Sequence, residues 1–207
     1  MACSVKNCCV APSYDVDEAQ TAWETWRFNC GPGALTGVLG CTPEQIRPCM
    51  REFERKGYTN PRLMFAVLRG IGVAYKSLSE KNWPEFGLSR VQWTGPWTKP
   101  DVPKRKAYRH THWVASRKCQ HGNWYIFDFN CICAGGWVKK DIWEEQVVPW
   151  LLENCGEKKQ GADGGWFLTH ALEVATEDGF LASYAAMPRT SRRKVAQDKR
   201  RFSRKAL

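Results

Sequence analysis

Cys30 is the residue from which chemistry can start. It stands in the turn signal Asn29-Cys30-Gly31-Pro32-Gly33, and the apolar run Ala34-Leu35-Thr36-Gly37-Val38-Leu39 follows, closed by Gly40. This pattern predicts a short buried helix opening at Cys30 or Gly31, although its three glycines are poor helix formers. A thiol acts as a nucleophile when it is partly thiolate at neutral pH. A helix N-terminus favours that charge, and a neighbouring imidazole takes the proton. Gly31 and Gly33 would let backbone N–H groups come close to a developing oxyanion. The imidazole in turn needs a carboxylate or amide to hold it. The aromatic, apolar runs His112–Ser116 and Trp124–Phe129 flank the turn-forming stretch from Arg117 to Asn123, which predicts an antiparallel hairpin. His112 begins one strand and Asp128 ends the other, so pairing brings both to one end of the sheet.

Each of these residues has a rival. His110 lies two positions before His112 and shares its face if the strand extends that far; His112 is preferred because Trp113 and Val114 follow it directly. Asn130 competes with Asp128 to orient the imidazole. His121 falls in the hairpin turn, and His170 on a later run reads as structural. Ten cysteines make a buried, inert thiol the ordinary expectation at any one position. Cys3, Cys8 and Cys9 form one cluster, and Cys131 and Cys133 another, but neither has the C-x-x-C spacing of a structural zinc site. The H-x-E and P-C-x-x-C pair of a zinc deaminase is missing as well. No metal and no cofactor is expected.

The elements that must position these side chains follow from caps and periodicity. Residues 1–17 read as irregular. The stretch from Glu18 to Phe28 is ambiguous, with Trp23 and Trp26 spaced as on one helix face. Thr42-Pro43-Glu44-Gln45 is a capping box with proline first, predicting a helix to about Lys56. Asn60-Pro61 starts another that reaches Arg69. The second half changes character. Val73–Leu78 suggests a short strand, and Trp83–Pro103 reads as a long loop with one strand near Arg90–Thr94. The hairpin comes next, then a helical Lys139–Asn154 despite Pro149, then a strand over Gly165–Val174. Helices first and strands second give an α+β class. The division is an irregular segment 1–17, one domain over 18–188 and a basic tail over 189–207.

At this point the residues reach a resemblance. Asn29-Cys30-Gly31-Pro32-Gly33-Ala34-Leu35 resembles the nucleophile segment of papain-like cysteine peptidases, especially the group that removes double-glycine leader peptides from bacteriocin precursors. His112-Trp113-Val114-Ala115 is similar to the histidine strand of that group. Ile126-Phe127-Asp128 is similar to the strand that ends in its orienting Asp. The match runs from about Gln20 to Asn130 and leaves the last third of the chain uncovered. It implies a papain-like fold, with the nucleophile at a helix N-terminus packed on a C-terminal antiparallel sheet. It also implies a Cys30–His112–Asp128 triad acting on a peptide or isopeptide bond. The same constellation serves deamidation, transglutamination and acetyl transfer to arylamines. The family's oxyanion glutamine stands six positions before the cysteine; here that position is Glu24, with Gln20 further upstream, and these two are the oxyanion-hole candidates.

Composition bounds the partners. The 207 residues carry a net charge of +10, concentrated between Arg189 and Lys205, while 43% of the chain is apolar. One compact domain with a solvated basic tail is expected, and the tail offers a contact for nucleic acid or an acidic partner. Met1–Tyr14 lacks the pattern of a signal peptide, and no apolar run of 18 residues exists, so the expectation is a cytoplasmic protein with reduced thiols and no transmembrane segment. The rival to a thiol hydrolase or acyl transferase with a peptide or protein substrate is a catalytically inactive papain-like binding protein that uses the tail. A small zinc-bound nucleic-acid protein ranks last.

Overall fold

A computed structural model describes residues 14–79 and 82–174 of the chain. The basic tail, most of the N-terminal segment and the cluster Cys3, Cys8 and Cys9 lie outside the described residues. The first helix, α1 (Val16–Trp26), starts inside the stretch expected to be irregular. Its cap explains the start: the Asp15 carboxylate accepts from the Glu18 N–H at 2.9 Å, and the Glu18 carboxylate accepts from the Asp15 N–H at 3.2 Å. The two tryptophans do not share a face, since Trp26 is buried and Trp23 is exposed.

Four helical pieces follow. They are α2 (Cys30–Leu39), α3 (Pro43–Ile46), α4 (Arg51–Lys56) and α5 (Pro61–Gly70). The single helix expected from Thr42 to Lys56 is broken into α3, a 3₁₀ turn over Arg47–Cys49 and α4. Pro48 accounts for the break, because it has no N–H to donate and its ring crowds the preceding turn. The capping side chains act as expected: the Thr42 hydroxyl accepts from the Gln45 N–H, and the Asn60 side chain accepts from the Leu63 N–H at 2.8 Å.

The sheet has six antiparallel strands: β1 (Tyr75–Ser77), β2 (Phe86–Trp93), β3 (Thr111–Lys118), β4 (Trp124–Phe127), β5 (Trp137–Lys139) and β6 (Trp166–Val174). Their order is β1-β6-β2-β3-β4-β5. The molecule is thus a mixed α+β fold, with an N-terminal helical region followed by a C-terminal antiparallel sheet. The region expected to be mostly loop holds β2, a central strand buried along its whole length. Its Gly87, Ser89, Arg90 and Gln92 hid it from a hydrophobicity reading. Gly87 is required there, since a Cβ would lie 1.9 Å from the Leu172 carbonyl oxygen on β6.

Residues 140–154 are helical through Pro149. A π-wound stretch, Trp143–Val147, precedes it, and proline enters near the start of the helical piece Val148–Asn154. The helices and one side of the sheet enclose a core that includes Phe28, Leu35, Phe53, Trp113, Ala115 and Phe127. A second cluster holds Val91, Trp93, Val114, Ile126, Trp143 and Leu168. Among the described residues no helix is long and apolar enough to cross a membrane.

Candidate functional site

The position of Cys30 is set by its own helix. Asn29 is the N-cap of α2; its side chain accepts from the Gly31 N–H at 3.2 Å, and its carbonyl accepts from the Gly33 N–H at 2.8 Å. Cys30 is the first helical residue and remains partly exposed. Close approach explains the three glycines. A Cβ at Gly31 would sit 2.1 Å from Thr59 Oγ1, one at Gly33 would sit 2.7 Å from Phe129 Cβ, and one at Gly37 would sit 2.5 Å from the Phe127 ring. The glycines let the helix lie directly against the end of β4, which carries Asp128 at its exit. The Gly31 and Gly33 amides are both taken by Asn29. The Cys30 N–H makes no hydrogen bond to the described residues, as befits the first turn of a helix.

The hairpin brings His112 and Asp128 together. Ala115 pairs with Phe127, and the strands run back from there to place His112 Nε2 2.8 Å from Asp128 Oδ2. The other ring nitrogen is then the one left for Cys30, whose charge is coupled to that of His112. The Trp113 backbone N–H also favours the Cys30 thiolate. Asp128 is fully buried and saturated: Oδ2 also accepts from Trp143 Nε1 at 2.9 Å, and Oδ1 accepts from the Asn130 backbone N–H and from its side-chain amide, both at 2.9 Å. The Trp93 ring lies nearly parallel to the imidazole, at 19° with centroids 6.0 Å apart.

The electrostatics follow from these contacts. Burial pushes the Cys30 thiol up, but the His112 charge, its hydrogen bond and the Trp113 N–H outweigh it, so the thiol titrates below its ordinary range. Burial pulls His112 down, yet the Asp128 and Cys30 charges raise it well above the usual imidazole value. Burial likewise opposes ionisation of Asp128, and His112, Trp143 and Asn130 hold it below the normal carboxylate range. All three shifts run in the direction of thiolate, imidazolium and carboxylate, and the groups titrate as one coupled system.

The other candidates separate from this group. His110 precedes β3; its Nδ1 lies 2.6 Å from Glu157 Oε2, and its ring stacks on Trp97 with centroids 3.5 Å apart. Asn130 holds Asp128, not the imidazole. Gln20 and Glu24 are exposed on α1, where Gln20 Nε2 donates to Glu24 Oε1 at 2.7 Å. That bond commits the amide donor of Gln20 within α1. Cys131 is a buried thiol pushed up to about 12, with Cys133 exposed nearby, and no group of three or more metal-ligating side chains is assembled among the described residues. Sequence reasoning missed Trp93, Trp143 and Arg90. A count of eleven tryptophans gave no hint of which would donate to a carboxylate.

In comparisons with known proteins, no family model matches the chain and no curated protein matches it.

Proposed function

We propose that the protein is a papain-like thiol hydrolase or acyl transferase, foremost a cysteine peptidase acting on a peptide or isopeptide bond. One observation carries this reading. A thiol at the start of α2 is electrostatically coupled to His112, whose Nε2 lies 2.8 Å from the buried Asp128. In the proposed reaction the Cys30 thiolate attacks the carbonyl carbon. His112 protonates the leaving group, and in the second half-reaction it takes a proton from water or from the acceptor as the thioester is resolved. Asp128 keeps the imidazole in orientation and stabilises its charge. The free N–H of Cys30 is the proposed oxyanion donor.

Selective alkylation tests the reading. With limiting iodoacetamide near pH 6, an ordinary thiol of pKa about 8.5 reacts slowly. Cys30 is expected to label first, ahead of the exposed Cys133 and Cys155, and His112→Ala should abolish that preference. Label spread evenly over the exposed thiols in both proteins would remove the proposal. The rival, an inactive binding protein of the same architecture, draws on Glu24 standing where the family has its glutamine, and on the bond that commits the Gln20 amide to it. It predicts the same biological phenotype for Cys30→Ala as for wild type.

A further inference from the structure

Among the described residues, a buried cation on the strand next to the His112 strand has no carboxylate partner. Arg90, on β2, is only 3% exposed. Its guanidinium is charged at any relevant pH and offers N–H donors in a planar fork. Nη2 donates to the Thr111 hydroxyl at 3.1 Å and to the Tyr108 carbonyl at 3.4 Å. The Nε N–H is buried without any partner, and among the described residues no carboxylate pairs with this side chain. The Tyr108 ring faces the cation at 5.4 Å. Burying an arginine half-satisfied and unpaired is costly, so a fold that keeps one there calls for a ligand that completes it.

Register ties this arginine to the site. Arg90 is the cross-strand partner of Trp113, and the next pair is Val91 with His112. The Cys30 charge acts on Arg90 through space, and no hydrogen bond links the two side chains. The Arg90 Nε N–H is therefore left over for another anion.

We propose that Arg90 forms an anion subsite beside Cys30, which favours substrates carrying a carboxylate close to the scissile carbonyl. This rests on the thiol reading above and narrows its substrate class. Two sources share the chemistry: the free carboxylate of a C-terminal residue and the side chain of an acidic one. Either is planar and matches the fork.

Iodoacetate and iodoacetamide test it on the full-length protein. Both alkylate by the same step: the Cys30 S–C bond forms, the C–I bond breaks and iodide leaves. The thiolate fraction cancels in the ratio of their rate constants, which then reports only the preference for a carboxylate. His112 contributes equally in wild type and in Arg90 variants. The ratio at Cys30, read by peptide mass spectrometry, should be about tenfold higher in wild type than in Arg90→Gln. Arg90→Lys, which keeps charge but loses the fork, should fall between. Equal ratios in all three would overturn the proposal.

A second measurement needs no variant. Protection of wild-type Cys30 from iodoacetamide by N-acetylglycine, or by the α-amide of N-acetylglutamate, should exceed protection by neutral N-acetylglycinamide. The better protector of the two acids identifies the carboxylate source, and no difference from the neutral compound counts against the subsite. Cys30 labelling that ignores His112→Ala would overturn both readings. Labelling that needs His112 but has no carboxylate preference would overturn the Arg90 assignment alone.

Discussion

Two histidines two residues apart are built almost alike. His110 faces the Glu157 carboxylate at 2.6 Å and lies against Trp97; His112 faces the Asp128 carboxylate at 2.8 Å and lies against Trp93. A histidine paired with a carboxylate and covered by an indole is therefore no mark of a site by itself. The difference lies in what else each pair touches. Asp128 is fully buried and takes two further donors from Asn130 and one from Trp143, so its position is over-determined. His112 is coupled to the charge of a thiol at a helix start. The His110 pair instead holds together the segment before β3 and the turn after residue 154.

Breaking the two pairs separately should give the largest contrast. Asp128→Ala leaves a buried imidazole, an indole N–H and the Asn130 amide without their acceptor. It should cost about 3–5 kcal/mol in denaturant unfolding, as for removal of one partner of a buried ion pair. Rapid labelling of Cys30 at pH 6 should vanish with it. Glu157→Ala should cost less in unfolding and leave the Cys30 labelling rate within about twofold, since a one-sided loss at a partly exposed pair is cheaper. Equal effects of the two substitutions on Cys30 reactivity would erase the distinction between them.

Titration sharpens the comparison next. His112 is raised in the fold, so its ionic contribution to stability is complete below an unfolded pKa of about 6.5 and is lost as pH rises through the folded value. Asp128 is depressed; its contribution is present above about 3.9 and is lost as pH falls through the folded value. Their attraction is thus strongest between those limits. Cys30→Ala removes the thiolate, one of the charges that raise His112. The His112 midpoint, followed by the NMR signal of its ring C–H, should drop below wild type yet stay above about 6.5, because Asp128 remains. In the Cys30→Ala background, the stability gap between Asp128 and Asp128→Asn should narrow as pH climbs past about 6.5, by about 1.4 kcal/mol for each tenfold loss in the proton affinity of His112. Glu157→Gln should leave the His112 midpoint where it is.

The chain announces the parts of this site that local rules govern. Asn29 and the Gly-Pro turn fix a helix start, and a turn between two aromatic runs fixes a hairpin, so Cys30, His112 and Asp128 are legible. What stays hidden depends on tertiary packing. Arg90 lies on a central strand whose polar residues are buried on both faces, and that violates the alternation by which strands are read. Trp143 meets Asp128 from a π-wound turn in the later helical segment, at a sequence separation of 15 that no periodicity encodes. Pro48 is visible, yet a good capping box upstream outweighs it and suggests one long helix. The glycines of α2 read as weakness because propensity counts a missing side chain as a loss; in the fold it is the condition for contact.

That last point yields a smaller effect. Gly33→Ala places a Cβ 2.7 Å from Phe129 Cβ. Helix propensity favours alanine by about 1 kcal/mol, but overpacking against a neighbouring chain segment costs about 1–3 kcal/mol. The net should be mild destabilisation. Because α2 must shift to relieve the clash, Cys30 labelling should slow more than stability alone explains. Gly57→Ala is the control, since nothing lies within 4 Å of a Cβ there and only the left-handed φ of 74° is strained. It should lower stability and leave the labelling rate unchanged.

The smallest effect is expected at the two oxyanion-hole candidates. Gln20 and Glu24 bond to each other across one helical turn on an exposed face. Replacing either by alanine should move the unfolding free energy by no more than about 0.5 kcal/mol, as for ordinary surface positions. If neither group contributes to an oxyanion hole, Glu24→Gln should leave turnover of an activated thioester or ester by Cys30 unchanged. If Glu24→Gln instead raises turnover severalfold, the amide has joined the site and α1 lies nearer the reacting carbonyl than its hydrogen bonds indicate. That outcome would shift the oxyanion role from the Cys30 N–H alone to a donor shared with α1, while the contrast between His112 and His110 would stand.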